Sequence, residues 1–116
     1  MPIASKYEIR KLILPNGSCP FGEWYDELEE KEQYMVEVRL LRVRLGCFGE
    51  IRSVGAGVFE LKFRKGRAMR VYYGQVKSQI VLLLMGGDKR TQTGDIKRAR
   101  ALFAEFKSGE LKDAKC

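Results

Sequence analysis

The chain has 116 residues, 45% of them apolar and 32% charged, with a net charge of +7, three cysteines and no histidine. That length supports one domain with a real core and not two. The missing histidine rules out nucleophile–histidine catalysis, and three cysteines without CxxC spacing argue against a disulfide framework or a zinc site.

The longest apolar run, Ile80–Met85, has six residues and is too short to span a bilayer. The opening MPIASKYEIRKLIL carries charges every few residues and no apolar signal core, so a cytoplasmic location is expected. Charge is unevenly spread. Residues 20–37 hold seven acids and one base, which leaves 21 bases and eight acids, or +13, for the rest. A basic body with one acidic helical segment suggests a polyanion on one surface and a different contact on another.

Tyr7–Leu14 is predicted as a first strand, ended by Pro15-Asn16-Gly17. Ser18 or Cys19 then precedes Pro20, a residue suited to the first turn of a helix. Phe21, Trp24, Tyr25 and Leu28 follow at helical spacing, giving a short acidic helix whose aromatic stripe is read as core rather than a ligand box. A longer helix is predicted from Glu30 to Leu45, closed by Gly46. Tyr34, Val38, Leu41 and Leu45 form one apolar stripe on it, and Val36, Leu40 and Val43 another on nearly the opposite side. Either the sheet and the short helix cover one stripe each, or a partner protein covers part of the second. The first reading is preferred.

Ile51–Val54 is a short strand, and Gly55-Ala56-Gly57 turns or bulges into the next. Phe59, Leu61 and Phe63 alternate with Glu60, Lys62 and Arg64, and Met69, Val71 and Tyr73 alternate with Arg70 and Tyr72. Lys65-Gly66-Arg67 lies between the two runs, so this is a β-hairpin. A two-residue loop would pair Lys62 with Met69 and mix the faces. A three-residue loop pairs Lys62 with Arg70, Leu61 with Val71 and Glu60 with Tyr72, and keeps them apart. Glu60, Lys62, Arg64, Arg70 and Tyr72 are therefore expected on one open face. Adjacent cations repel, and a fold tolerates that when something anionic docks there.

Gln79–Met85 reads as a central strand buried on both faces. Gly86-Gly87-Asp88-Lys89-Arg90 is a loop, and Thr91 or Thr93 caps a final helix to Lys107 with Ile96, Ala99, Phe103 and Phe106 inward. Residues 1–107 form the domain and 108–116 a polar, frayed tail. The order β-α-α-β-β-β-β-α describes an α+β domain: a mainly antiparallel sheet, with a helical hairpin and a C-terminal helix on one face. No phosphate loop or dinucleotide fingerprint occurs, and no cofactor is implied.

On the residues alone, the basic face supports two readings. Metal-free RNA cleavage needs cations for the phosphate, which Arg and Lys supply, and a proton carrier, for which Glu60 or a tyrosine is available. An ordinary solvated cross-strand ion pair is the simpler alternative.

The ordered fragments Pro20-Phe21-x-Glu23-Trp24-x-x-x-Leu28, Ser53-Val54-Gly55-x-Gly57-Val58-x-Glu60-Leu61, Arg70-Val71-Tyr72-Tyr73 and Leu84-x-Gly86-Gly87-Asp88-Lys89-x-x-Gln92-x-x-Asp95-Ile96-x-x-Ala99 resemble the addiction-module killer proteins. These are a branch of the RelE/ParE toxin superfamily, and the match covers residues 7–106. The resemblance implies a RelE-like fold and a toxin held inactive by a small antitoxin, expected to carry a helix-turn-helix and to be encoded in the adjacent gene. It also implies a ribosome-associated, metal-independent mRNA endonuclease. By position, Lys62 and Arg64 match the sheet bases, Arg70 the phosphate-binding arginine, and Lys89 or Arg90 the basic residue after the buried strand. Arg67 and Gln92 extend the RNA-binding set. Thr91-Gln92-Thr93-Gly94-Asp95 lacks the tyrosine of RelE-type members, so proton transfer falls to Glu60, Tyr72, a lysine or the ribosome. ParE-like members poison DNA gyrase instead and need no nuclease site. A non-catalytic module that binds RNA or protein is the third reading.

Overall fold

The computed structural model describes residues 5–116. The elements in chain order are β1 (Glu8–Ile13), α1 (Pro20–Asp26), α2 (Glu30–Arg44), β2 (Ile51–Gly55), β3 (Val58–Lys62), β4 (Arg70–Val76), β5 (Ile80–Gly87), a 3-10 turn (Lys89–Thr91), α3 (Gln92–Lys107) and β6 (Lys112–Lys115). They build an α+β fold around one mixed six-stranded sheet of order β2-β3-β4-β5-β1-β6.

Local chemistry sets the helix ends. Pro20 opens α1, and the Cys19 Sγ accepts from the Gly22 amide at 3.3 Å. A reciprocal capping box between Glu29 and Glu32 starts α2, and Gly46, at φ 91°, follows its end. Ala56 and Gly57, both at positive φ, turn β2 into β3. The hairpin register is the expected one, with Glu60 opposite Tyr72, Leu61 opposite Val71 and Lys62 opposite Arg70. The loop itself is longer than three residues. Phe63 still donates to the Met69 carbonyl at 3.0 Å, but Arg64 and Ala68 open out of the ladder, and Ala68 sits at φ 55°. Opening a facing pair lengthens the loop by two and leaves the parity unchanged.

Two expectations about the architecture are corrected. The helices do not share one face. α1 and α2 pack over Ile9, Leu61, Val71, Tyr73, Val81 and Leu83, whereas α3 packs over Leu12, Val58, Tyr72, Leu82 and Leu84 on the other side. The apolar run of β5 requires this, because a strand buried on both faces needs a layer on each. The C-terminal tail is not frayed either. β6 pairs antiparallel with β1, while β1 pairs parallel with β5, so the sheet is mixed. Arg10 donates to Asp113 at 2.6 Å and Leu111 is buried, which fastens that edge.

The face of α2 carrying Val36, Leu40 and Val43 is buried. The opposite stripe is not covered by the short helix: Tyr34 is 70% and Leu41 55% exposed.

Candidate functional site

Glu60 sits mid-strand in β3 on the face beneath α3, with 1% of its surface exposed. A buried carboxylate is tolerated only when compensated. Arg52, its partner on β2, approaches Oε1 at 3.5 Å, and the Arg70 Nε approaches Oε2 at the same distance. Gln92, the first residue of α3, donates to Oε2 at 3.0 Å. A neutral amide donor from the first turn of α3 thus joins two guanidinium groups around one anion.

Arg70 is 5% exposed, contrary to the open position expected for it. Its Nη1 donates to the Ala68 carbonyl at 2.8 Å, while its Nε makes no hydrogen bond. Tyr72 lies one ladder step deeper and is fully buried. Its hydroxyl is near enough to feel Glu60 but closes no well-formed hydrogen bond. Burial, reinforced by the negative charge of Glu60, pushes the phenol well above its ordinary value. Tyr72 is therefore a neutral, enclosed phenol. As placed, neither it nor Glu60 touches anything outside the protein.

Four of the nominated residues, Glu60, Arg70, Tyr72 and Gln92, come together in this way. Lys62 stands beside Arg70 at the margin of the same face, half-exposed and without an ion-pair partner among the described residues. Arg64 leaves the face with the opened loop and pairs with Glu50. Arg67 is not part of the basic face. It binds Glu32 of α2 through two hydrogen bonds, of 2.9 and 2.8 Å, a fork that satisfies a poorly exposed carboxylate. That bond holds the Glu32 carboxyl below its ordinary value. Lys89 and Arg90 lie exposed on the 3-10 turn, where Arg90 reaches Asp88 at 3.3 Å.

Arg52 and Arg100 were not singled out in the sequence. Arg52 alternates with Ile51 and Ser53, which marks a strand. A register shift between Ser53 and Gly55 hides its pairing with Glu60 from any parity count begun at the turn. The Arg100 guanidinium of α3 lies against Gly55, 3.5 Å from where a Cβ would sit.

The glycines after β5 are packing residues. A Cβ on Gly86 would lie 2.2 Å from the Trp24 ring, and one on Gly87 1.9 Å from the Asp95 carboxylate. Gly86 thus lets Trp24 of α1 close on one face of the end of β5, while Gly87 lets Asp95 of α3 close on the other, the face that holds the carboxylate. Around this junction runs a cleft of about 440 Å³, lined by Trp24, Arg67, Arg90 and Arg98 among others. Among the described residues, no group of three or more Cys, Asp or Glu side chains is placed to hold a metal. Among the described residues, no helix is long and apolar enough to cross a membrane.

No protein-family model matches the chain. Over 87 residues it is 40% identical to an uncharacterized protein of Haemophilus influenzae, a match spanning 74% of this chain and 88% of that one. The chain belongs to that protein's family. No solved structure matches it.

Proposed function

We propose that this protein is the toxin of a toxin–antitoxin pair and acts on mRNA at the ribosome, cutting it without a metal. The observation that carries this reading is the cross-strand pair Lys62–Arg70 at the mouth of the compensated carboxylate, with Arg52 exposed on the same face. Lys62 would meet a phosphate directly. Arg70, held from behind by Glu60 and the Ala68 carbonyl, would reinforce it with a preorganised charge. Lys89 and Arg90, on the turn leading into α3, would grip the backbone further along. With Glu60 and Tyr72 enclosed, proton transfer at the 2′-hydroxyl falls to Lys62 or to the ribosome. The RelE-like assignment of the fold and a cytoplasmic location belong to this same proposal.

The burial of both carboxylate and phenol favours a second reading, the ParE-like gyrase poison, which needs no proton carrier. Adding the purified protein to a cell-free translation reaction separates the two. Shortened mRNA supports the first, and intact mRNA with gyrase-linked DNA breaks supports the second. A non-catalytic binding module predicts neither, and no growth arrest on expression.

A further inference from the structure

One flank of α3 is basic throughout and lies over the β2–β3 turn, outside the cluster around Glu60. At 100° per residue, Arg100 and Lys107 fall within about 20° of each other, with Thr93, Lys97 and Ala104 beside them. No acid shares that flank. Asp95 is turned toward Gly87, and Glu105 lies on the far side of the helix. The turn is shaped to receive the flank. Gly55 and Gly57 stand at φ 91° and 80°, a conformation that suits glycine, and neither carries a side chain to hold a helix off. The Arg100 guanidinium lies 3.5 Å from where a Cβ on Gly55 would sit, and the Lys107 Nζ 3.9 Å from one on Gly57. That Nζ is also 4.6 Å from the centre of the Phe103 ring.

Arg100 and Lys107 are exposed and have no ion-pair partner among the described residues. Arg52 continues the line on β2. Its pairing with Glu60 puts it on the side of the sheet that α3 covers, and its side chain is 59% exposed. Lys62 closes the line at the other end of β3. The extended run from Gly57 to Lys62 spans roughly 17 Å, so Lys107, Arg100, Arg52 and Lys62 form a cationic seam of about that length. Neighbouring cations with no acid between them repel. A cation with no task reaches out into water, whereas Arg100 and Lys107 are laid against glycine backbone and an aromatic ring. Their charges are thereby fixed on the seam.

We propose that this seam is a binding track for a single strand of RNA outside the cleavage site, with Lys107, Arg100 and Arg52 each taking a phosphate before the strand reaches Lys62. An acidic protein segment fits less well. Gly55, Gly57, Thr93 and Ala104 lie between the cations, and none of them offers the apolar anchor that such a segment needs. Phosphates need only the fixed charges and a flat backbone to approach. That the bound strand is the one being cut rests on the function proposed above; the binding itself does not. Where it is the strand being cut, the grip on the substrate extends several nucleotides to one side of the scissile phosphate.

The test uses the full chain and a fluorescein-labelled oligouridylate of about twelve nucleotides, read by anisotropy over a range of salt concentrations. Arg100→Glu and Lys107→Glu should each weaken binding at least about fivefold and lower the slope of log affinity against log salt by about one. Lys31→Glu makes the same change of net charge on exposed α2 and should stay within about twofold of the parent. Should either reversal unfold, Arg100→Gln or Lys107→Gln removes the same contact and should still cost about threefold. Failure of the parent to bind the RNA, or parent-like affinity and slope in the Arg100 and Lys107 variants, would overturn the proposal. So would an equal loss in Lys31→Glu, which would mean that net charge alone decides. A labelled oligoglutamate that binds as tightly as the RNA and loses as much in the same variants would also overturn it, giving the seam to an acidic protein. The toxin reading is scored separately, by the state of mRNA in a translation reaction with the parent protein. Intact mRNA there removes that reading and leaves the anisotropy result standing.

Discussion

Replacing Arg70 by alanine tests whether the Glu60 cluster is the enclosed arrangement described. The Arg70 side chain is 6% and that of Glu60 2% exposed, with 3.5 Å between them. At an effective dielectric near 20, that separation corresponds to about 5 kcal/mol of attraction. Much of this is offset by the cost of desolvating both charges, so the pair need not be net stabilising. Removing one partner is different, because Glu60 would keep only Gln92 and an Arg52 side chain that is 59% exposed and screened by water. A loss of about 3 kcal/mol is expected, at the low end for breaking a buried pair because Arg52 remains. For a domain of this size that is roughly 12 °C in melting temperature. Urea unfolding at neutral pH of the parent, Arg70→Ala, Glu60→Gln and the double variant measures it. The double variant should be more stable than the summed single losses predict, by about 1 kcal/mol or more. A loss for Arg70→Ala below about 0.5 kcal/mol, with additive effects, would mean that Arg70 lies on an open face, and the enclosure argument would fail.

Three other outcomes follow from particular contacts. Tyr72→Phe removes a buried hydroxyl that closes no hydrogen bond, so stability should hold or rise by up to about 1 kcal/mol, and mRNA cleavage should persist. Lost cleavage in a stable variant would restore Tyr72 as a proton carrier. Arg67→Ala breaks the fork to Glu32 and should slightly destabilise the protein at neutral pH. Because the Glu32 carboxyl is lowered from 4.5 in the folded state, the gap between parent and variant should be full above pH 4.5. It should close as the pH falls through the lowered value, and a gap that widens in acid would contradict the pairing. Deleting residues 110–116 removes β6 and the burial of Leu111, which should cost at least about 2 kcal/mol and leave β1 as a bare, self-associating edge. Unchanged melting and light scattering would show the strand to be dispensable.

The hairpin register was legible because period-two alternation and an odd-length loop admit only one pairing that separates the faces. Alternation says which residues share a face, however, and not what lies on top of it. Ile96, Ala99 and Phe103 announced a helix face in search of a sheet face, and the face α3 covers is the one holding Glu60 and Tyr72. An apolar β5 buried on both sides already implied helices on both sides. β6 carried no such signal. Lys112-Asp113-Ala114-Lys115 is polar, and its place is fixed by backbone pairing and the Arg10–Asp113 bond, which no periodicity encodes. Arg67 looked like one more surface cation. Only the long-range approach of Glu32, itself a capping residue of α2, shows it to be tied to that helix.

The most direct measurement of the proposed function is to map mRNA 5′ ends in a cell-free translation reaction containing the purified chain or its Lys62→Glu variant. The account predicts new ends within translated sequence for the parent, and none for Lys62→Glu at an unchanged melting temperature. Intact mRNA with the parent, or equal cleavage by Lys62→Glu, would contradict it.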